Sequence, residues 1–253
     1  MAPTGAAPMT PWRATGADPN APLALVTRRR ALAEAWAPPV HDRNAYLEGL
    51  ARGRRVLDVG VVDHTIERAG TSQWLHGRVA AAASYAMGVD VLPEHVDELR
   101  RRGFNARVCD ITREDPGERF DLVVCGEVIE HLDCPGALLA GARRCLGPDG
   151  QVVLTSPNPY YLPRIRDALR GVTHENVDHV TYVFPSGLVE LAARAGLRLV
   201  RWRGVRSTES AGRLGRALFA AGRALLAPEA ACYSLIYECA VDPQSPGEGR
   251  AQV

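Results

Sequence analysis

A single α/β domain, with a mainly parallel sheet covered by helices on both faces, is the fold class this sequence predicts. Three observations lead there. From Arg54 onward, short apolar runs alternate with helical segments. The runs are apolar throughout, as strands buried on both faces must be. The length of 253 residues suffices for one such domain with its own core, plus ragged ends.

The elements follow in order. Residues 1–22 carry five prolines among small residues and are expected to form a disordered tail. A helical segment spans 23–52, with helices from Leu23 to Trp36 and Asn44 to Arg52 broken at Pro38-Pro39. Arg55 to Gly60 reads as the first buried strand, 72–85 as a helix and Met87 to Asp90 as the second strand. Pro93 sits where a helix begins, and Glu94 to Arg102 continue it. Asn105 to Cys109 and Phe120 to Cys125 are the third and fourth strands. A short helix follows, then a longer one from Gly136 to Leu146. Pro148-Asp149-Gly150 is a turn, and Gln151 to Thr155 the fifth strand. Residues 156–184 are loop-rich, with a helix at Pro163 to Arg170. Ser186 to Ala195 is a helix stopped by Gly196. Leu197 to Trp202, a helix over 211–226 and Tyr233 to Val241 complete a domain over 53–241, before a flexible tail at 242–253. The long excursion between the last two strands suits a seventh strand inserted antiparallel.

Composition excludes several chemistries. All 30 basic residues are arginine, so no Schiff base, P-loop lysine or lysine general base is available. The formal net charge of +1 argues against a nucleic-acid binder. The six cysteines, Cys109, Cys125, Cys134, Cys145, Cys232 and Cys239, form no C-x-x-C pair and read as reduced and mostly structural. That usage, with no signal peptide and no apolar run long enough to span a bilayer, points to a cytoplasmic protein without a membrane partner.

In such sheets ligands bind beyond the carboxyl ends of the strands, where the strand order reverses. Asp58, Asp90 and Asp110 stand at or just after the ends of strands one, two and three. A carboxylate after strand two can accept both hydroxyls of a ribose, and one after strand three can reach an adenine amine. Gly60 lets the backbone approach an amino-acid moiety. Aspartates and glycines after strands also serve as turns and caps. A nicotinamide dehydrogenase would need G-x-G-x-x-G after strand one, which is absent.

The ordered set VLDVG at 56–60, GVD at 88–90, CDI at 109–111, FDLVVCGEVIEHL at 120–132 and LGPDGQVVLTSPN at 146–158 resembles the class I S-adenosylmethionine-dependent methyltransferases. The resemblance runs from about Arg54 to Val241. It implies a Rossmann-like, mostly parallel seven-stranded sheet whose last strand is antiparallel. It also implies cofactor contacts at Asp58, Gly60, Asp90, Asp110 and the turn at Gly126. One departure stands out: Val62 and His64 occupy positions where the family usually has glycine.

Glu127, Glu130 and His131 follow strand four. On a helix, positions i, i+3 and i+4 share a face, so the sequence predicts that the three converge. Asp178-His179 arrives from the loop-rich segment. This E-x-x-E-H plus D-H pattern resembles ubiquinone-pathway O-methyltransferases and small-RNA 2′-O-methyltransferases. It implies a divalent metal (Mg²⁺, Mn²⁺ or Zn²⁺) on Glu127, Glu130, His131 and His179, with Asp178 orienting His179. His131 and His179 are the candidate catalytic residues. Two other readings stay open: His131 alone as general base, and Glu127 with His131 as a plain i, i+4 pair.

Two lures are set aside. Ser156-Pro157-Asn158-Pro159-Tyr160 looks like an amino-methyltransferase motif but follows strand five rather than four. The helix at 211–226, with Arg213, Arg216 and Arg223 among leucines, reads as a packed or lid helix ahead of a membrane-surface one. The sequence therefore points to methylation of a small-molecule hydroxyl: a sugar, a glycosylated metabolite or a phenol. Competing readings are an RNA 2′-O-methyltransferase, a small-molecule N-methyltransferase and a non-catalytic methyltransferase-like subunit. Nothing in the sequence sets the oligomeric state.

Overall fold

The computed structural model describes residues 15–16, 18–63, 65–172, 176–206 and 227–243. Most of both expected tails, His64 and the expected helix at 211–226 lie outside the described residues.

Seven strands form one sheet in the order β3-β2-β1-β4-β5-β7-β6. They are β1 (Arg55–Val59), β2 (Tyr85–Asp90), β3 (Ala106–Val108), β4 (Phe120–Gly126), β5 (Leu146–Pro157), β6 (Leu197–Arg206) and β7 (Cys232–Val241). The pairs among β1 to β5 are parallel, and β7 is antiparallel to both neighbours, β5 and β6. This is the expected Rossmann-like sheet.

The pleat divides the core into two faces. Leu57, Val59, Met87, Val89, Val123 and Leu154 pack on one face against Leu138, Leu139 and Ala142 of α5 (Pro135–Arg144) and Leu188 and Ala192 of α7 (Pro185–Arg194). Val56, Leu122, Val124 and Val153 pack on the other against Leu47 and Ala51 of α2 (Arg43–Ala51) and Val79 of α3 (Leu75–Ala82). Each fully buried side chain of this kind contributes about 1.5–3 kcal/mol. A satellite cluster joins Val96 and Leu99 of α4 (Pro93–Arg101) to Val61, Trp74 and Ala106.

The early helical segment belongs to this body. Asp42 caps α2 by accepting from the Ala45 amide at 2.8 Å. Leu32 and Ala35 of α1 (Pro22–Ala35) pack on the first core face, and the Leu32 carbonyl accepts from Trp202 Nε1 at 2.8 Å. Trp36 and Val40 then bridge Trp202 and Val205, so residues 36–40 cover the outer edge of β6.

Two elements differ from expectation. The Pro148-Asp149-Gly150 turn lies within β5. Five residue steps of β5, from Leu146 to Gln151, bulge against two steps of β4, from Phe120 to Leu122, before pairing resumes. The short helix after β4 is a single 3-10 turn, Ile129–His131. Five of the six cysteines are buried, none is in a disulfide, and burial pushes the Cys145 thiol up to about 12. Among the described residues, no helix is long and apolar enough to cross a membrane.

Candidate functional site

The strand order reverses between β1 and β4. Gly60 and Gly126 lie one step beyond the paired Val59 and Cys125, on either side of that switch point. Gly60 has φ +75°, and a Cβ there would stand 2.6 Å from Val128 Cγ2, so glycine is required. A Cβ on Gly126 would stand 2.8 Å from Leu75 Cδ2.

Asp90 ends β2 with its carboxylate bound to backbone amides. Oδ2 accepts from Val62 at 2.9 Å and Oδ1 from Leu92 at 3.2 Å. It is 7% exposed, and burial raises its pKa against the pull of those amides. Asp110 is half-buried and forms an Asx turn, its Oδ1 accepting from the Thr112 amide at 3.0 Å and the Thr112 hydroxyl at 2.6 Å. Asp58 is turned away from this edge. Its pleat position faces α3, and its Oδ2 lies 3.0 Å from Nδ1 of the buried His76.

The first loop accommodates its missing glycine. Val61 is 3% exposed within the satellite cluster, and Val62 packs against it. Trp74 Nε1 donates to the Val61 carbonyl at 2.9 Å. The valine bulk goes into this small core, while the Val62 amide faces Asp90. His64 lies outside the described residues.

After β4 the expected helical face does not form. Glu127 has φ +55°, a left-handed conformation rare for a residue with a side chain. Its amide bonds the Thr155 hydroxyl at 3.0 Å, and the chain then enters the 3-10 turn. An i, i+3, i+4 face needs continuous α-helix, so Glu127 leaves that register, although its carboxylate stays beside that of Glu130. Arg43 Nη1 lies 3.1 Å from Glu127 Oε1, and Ser234 Oγ donates to the same oxygen at 2.9 Å.

Glu130, His131 and His179 do converge. One ligand atom from each lies within 4.8 Å of the others, the one such group among the described residues. The amides of Val180 and Thr181 donate to the Glu130 carbonyl at 2.9 and 3.2 Å, which fixes His179 beside the turn. The two imidazoles meet edge to face with centroids 4.7 Å apart. Asp178 pairs with His131, its Oδ2 lying 3.0 Å from His131 Nδ1, and its charge also acts on His179.

The donor set fits a cation. Both Glu130 oxygens and His179 Nδ1 are buried without a hydrogen-bond partner. Atoms of this kind are costly to bury unless something binds them. Burial, and then the neighbouring Glu127 carboxylate, push the Glu130 carboxyl up to about 8. Burial, then the proximity of His131, lowers the His179 pKa, which favours the neutral imidazole a metal needs.

A pH dependence follows for metal-stripped protein. Between the ordinary carboxylate value of 4.5 and about 8, folded Glu130 holds a proton that the unfolded chain has released. Stability therefore falls as pH rises through that window. Glu130→Gln should flatten this slope and raise Tm at pH 8, by about 2–4 °C per kcal/mol recovered. Calorimetric melts of both proteins from pH 5 to pH 8 check it; parallel slopes would refute the burial penalty.

Sequence reasoning missed Arg43 and Ser234, which no motif marks. Asn158 of the first lure is a brace. It is fully buried, and its Nδ2 donates to the carbonyls of Glu229 at 2.8 Å and Cys232 at 2.7 Å.

Comparison with known proteins adds the following. The family described as a methyltransferase domain matches residues 27–201. A ubiquinone biosynthesis O-methyltransferase of Neisseria meningitidis serogroup C is 28% identical over 187 residues, covering 66% of this chain and 75% of that one. The protein of the same name from Cupriavidus pinatubonensis is 26% identical over 233 residues, covering 80% and 88%. The magnesium protoporphyrin IX methyltransferase of Synechocystis PCC 6803, solved with bound SAH, is similar in fold with a TM-score of 0.52. That match has 15% sequence identity and covers 78% of this chain and 80% of the other.

Proposed function

This chain belongs to the methyltransferase-domain family, as an S-adenosylmethionine-dependent enzyme, and from that premise we propose that it methylates a hydroxyl of a small molecule with help from a divalent cation. The observation that carries the reading is the group formed by buried Glu130 with half-buried His131 and His179. The ubiquinone-pathway names of its relatives add weak support for oxygen as the acceptor.

S-adenosylmethionine would supply an activated methyl, passing it in line to an oxygen lone pair as the C–S bond breaks and a neutral thioether leaves. Glu130, His131 and His179 would hold a divalent cation, which would lower the pKa of a bound hydroxyl and orient its oxygen. The protein's own groups do the rest. Asp90 and Asp110 offer acceptors for the cofactor's hydroxyls and amine. Gly60 and Gly126 let the backbone approach its amino-acid end. Asp178 bonds His131 Nδ1 and so favours the tautomer whose Nε2 carries a lone pair. That nitrogen serves as a ligand or takes the hydroxyl proton.

Two experiments test this. S-adenosylhomocysteine titrated calorimetrically should bind the wild type, and Asp90→Ala should weaken it at least tenfold, on the order of 1.4 kcal/mol. Unchanged affinity would remove Asp90 from the cofactor site. Incubation with ¹³C-methyl S-adenosylmethionine and a panel of phenols, sugars, amines and short RNAs should give O-methyl carbon resonances from the small hydroxyl compounds. Signal confined to the amines or to RNA would overturn the substrate class.

A further inference from the structure

Glu127 has a donor on each side from opposite ends of the chain. Arg43 begins α2, and its Nε donates to Asn44 Oδ1 at 3.2 Å while Nη1 meets Glu127 at 3.1 Å. Asn44 Nδ2 in turn donates to the Gln73 carbonyl at 2.9 Å, which fixes this corner against the loop before α3. Ser234 of β7 donates to the same Glu127 oxygen. The left-handed backbone at Glu127 breaks the helical path to Glu130 and His131, and Glu127, although its carboxylate neighbours that of Glu130, is not among the three side chains whose ligand atoms gather within 4.8 Å. The Arg43 and Glu127 side chains are only 25% and 29% exposed, so the pair is partly shielded from screening.

We propose that Arg43 is a positioning residue that keeps Glu127 out of the metal's ligand set, so that three protein side chains and not four meet the cation. The inference rests on the metal-assisted reading above. A cation on Glu130 attracts the neighbouring Glu127 carboxylate as well. Arg43 opposes that movement, because its guanidinium is permanently charged and would lose its carboxylate in a half-buried place. A cation with three protein ligands keeps positions open for a substrate oxygen. A fourth protein ligand would close the site on a four-coordinate ion such as Zn²⁺ and would take one of the remaining positions on six-coordinate Mg²⁺ or Mn²⁺. Here the chain departs from the four-ligand pattern that its E-x-x-E-H segment suggests.

The test is Mn²⁺ binding to S-adenosylhomocysteine-saturated protein, read by the loss of free-ion paramagnetic resonance. Arg43→Met releases Glu127 and should bind Mn²⁺ about tenfold or more tightly than wild type, the scale on which neighbours of a metal's ligands act. Arg43→Met combined with Glu127→Gln should return to within about threefold of wild type, since no carboxylate is left to recruit. Ser234→Ala, a small change that also frees Glu127, should shift affinity the same way by a smaller step. Arg43→Lys keeps the charge and should stay near wild type. Thermal melts accompany each variant. A purely structural Arg43 would lower Tm and leave Mn²⁺ affinity unchanged or weaker, which overturns the proposal. A double variant that keeps the gain also overturns it, because simple charge removal would then explain the effect. Mn²⁺ binding to Arg43→Met but not to wild type supports the role of Arg43 and removes the metal from the native reaction. Binding to neither protein overturns both.

Discussion

Glutamine at position 130 should leave this enzyme folded and cofactor-bound yet cut methyl transfer by at least about a hundredfold. Glu130 is wholly buried, and neither carboxylate oxygen has a well-formed hydrogen-bond partner. Glutamine keeps the shape, removes the cost of ionising a buried acid and takes away the anionic ligand. Stability and activity should therefore move in opposite directions, as they do where a site holds groups unfavourable to the fold. His179→Ala should lose activity to a similar degree, because its Nδ1 is the other orphaned donor atom of the group. Both variants should keep S-adenosylhomocysteine affinity, since neither side chain is among the proposed cofactor contacts at Gly60, Asp90, Asp110 and Gly126. Chelation of the wild type should abolish turnover, and Mg²⁺ or Mn²⁺ should restore it. A single-residue general base gives another pattern: His131→Ala alone is severe and chelators do nothing. Activity that survives both exhaustive chelation and Glu130→Gln would remove the cation from the reaction.

The largest stability effect is expected at Gly141. This residue lies in α5 with its backbone against the loop after β3, and a Cβ there would overlap the Ile111 carbonyl. That same carbonyl accepts from Arg144 at 2.9 Å, so it is held in place and cannot yield freely. Gly141→Ala should cost about 3 kcal/mol or more, against which the better helix propensity of alanine returns about 1 kcal/mol at most. The matched control is Gly49→Ala in α2, where nothing lies within 4 Å of the added methyl. That change should be neutral or gain up to about 1 kcal/mol. Denaturant melts of the two variants decide the matter; equal midpoints would contradict the packing argument. Because the Ile111 loop also carries Asp110, surviving Gly141→Ala protein should bind S-adenosylhomocysteine less well than wild type.

The sheet was legible because its signals are local. Apolar runs such as Val56-Leu57 and Leu122-Val123-Val124 need no partner to be recognised, and Pro93 and Gly196 mark helix boundaries by backbone chemistry alone. The antiparallel β7 followed from the long excursion before it. The site was legible only in part, because side-chain direction is set by partners far away in sequence. Spacing suggested that Glu127, Glu130 and His131 share a helix, but β4 turns sharply at Glu127 and only one 3-10 turn follows. Asp178 lies next to His179 in sequence yet bonds His131, since loop closure onto the Glu130 carbonyl decides which imidazole it meets. Asp58 has the register of a cofactor ligand, but the pleat directs it to His76. Val62 departs from the glycine usual in the first loop, and the small core it packs against was not visible from the sequence.

The sheet's outer edge has a consequence for synthesis. Residues 36–40 pair with β6, and Tyr46 donates to Glu238 at 2.6 Å across a separation of 192 residues. Glu127, midway along the chain, is gripped by Arg43 near one end and Ser234 near the other. A ribosome emits the early partners long before the late ones, so these contacts cannot form on a nascent chain. Until β6 is released, Trp36 and Val40 have no strand to cover, and until β7 is released Glu127 has only half its clasp. The clasp on Glu127 is therefore completed last, and a message cut short before Ser234 yields a chain that lacks it.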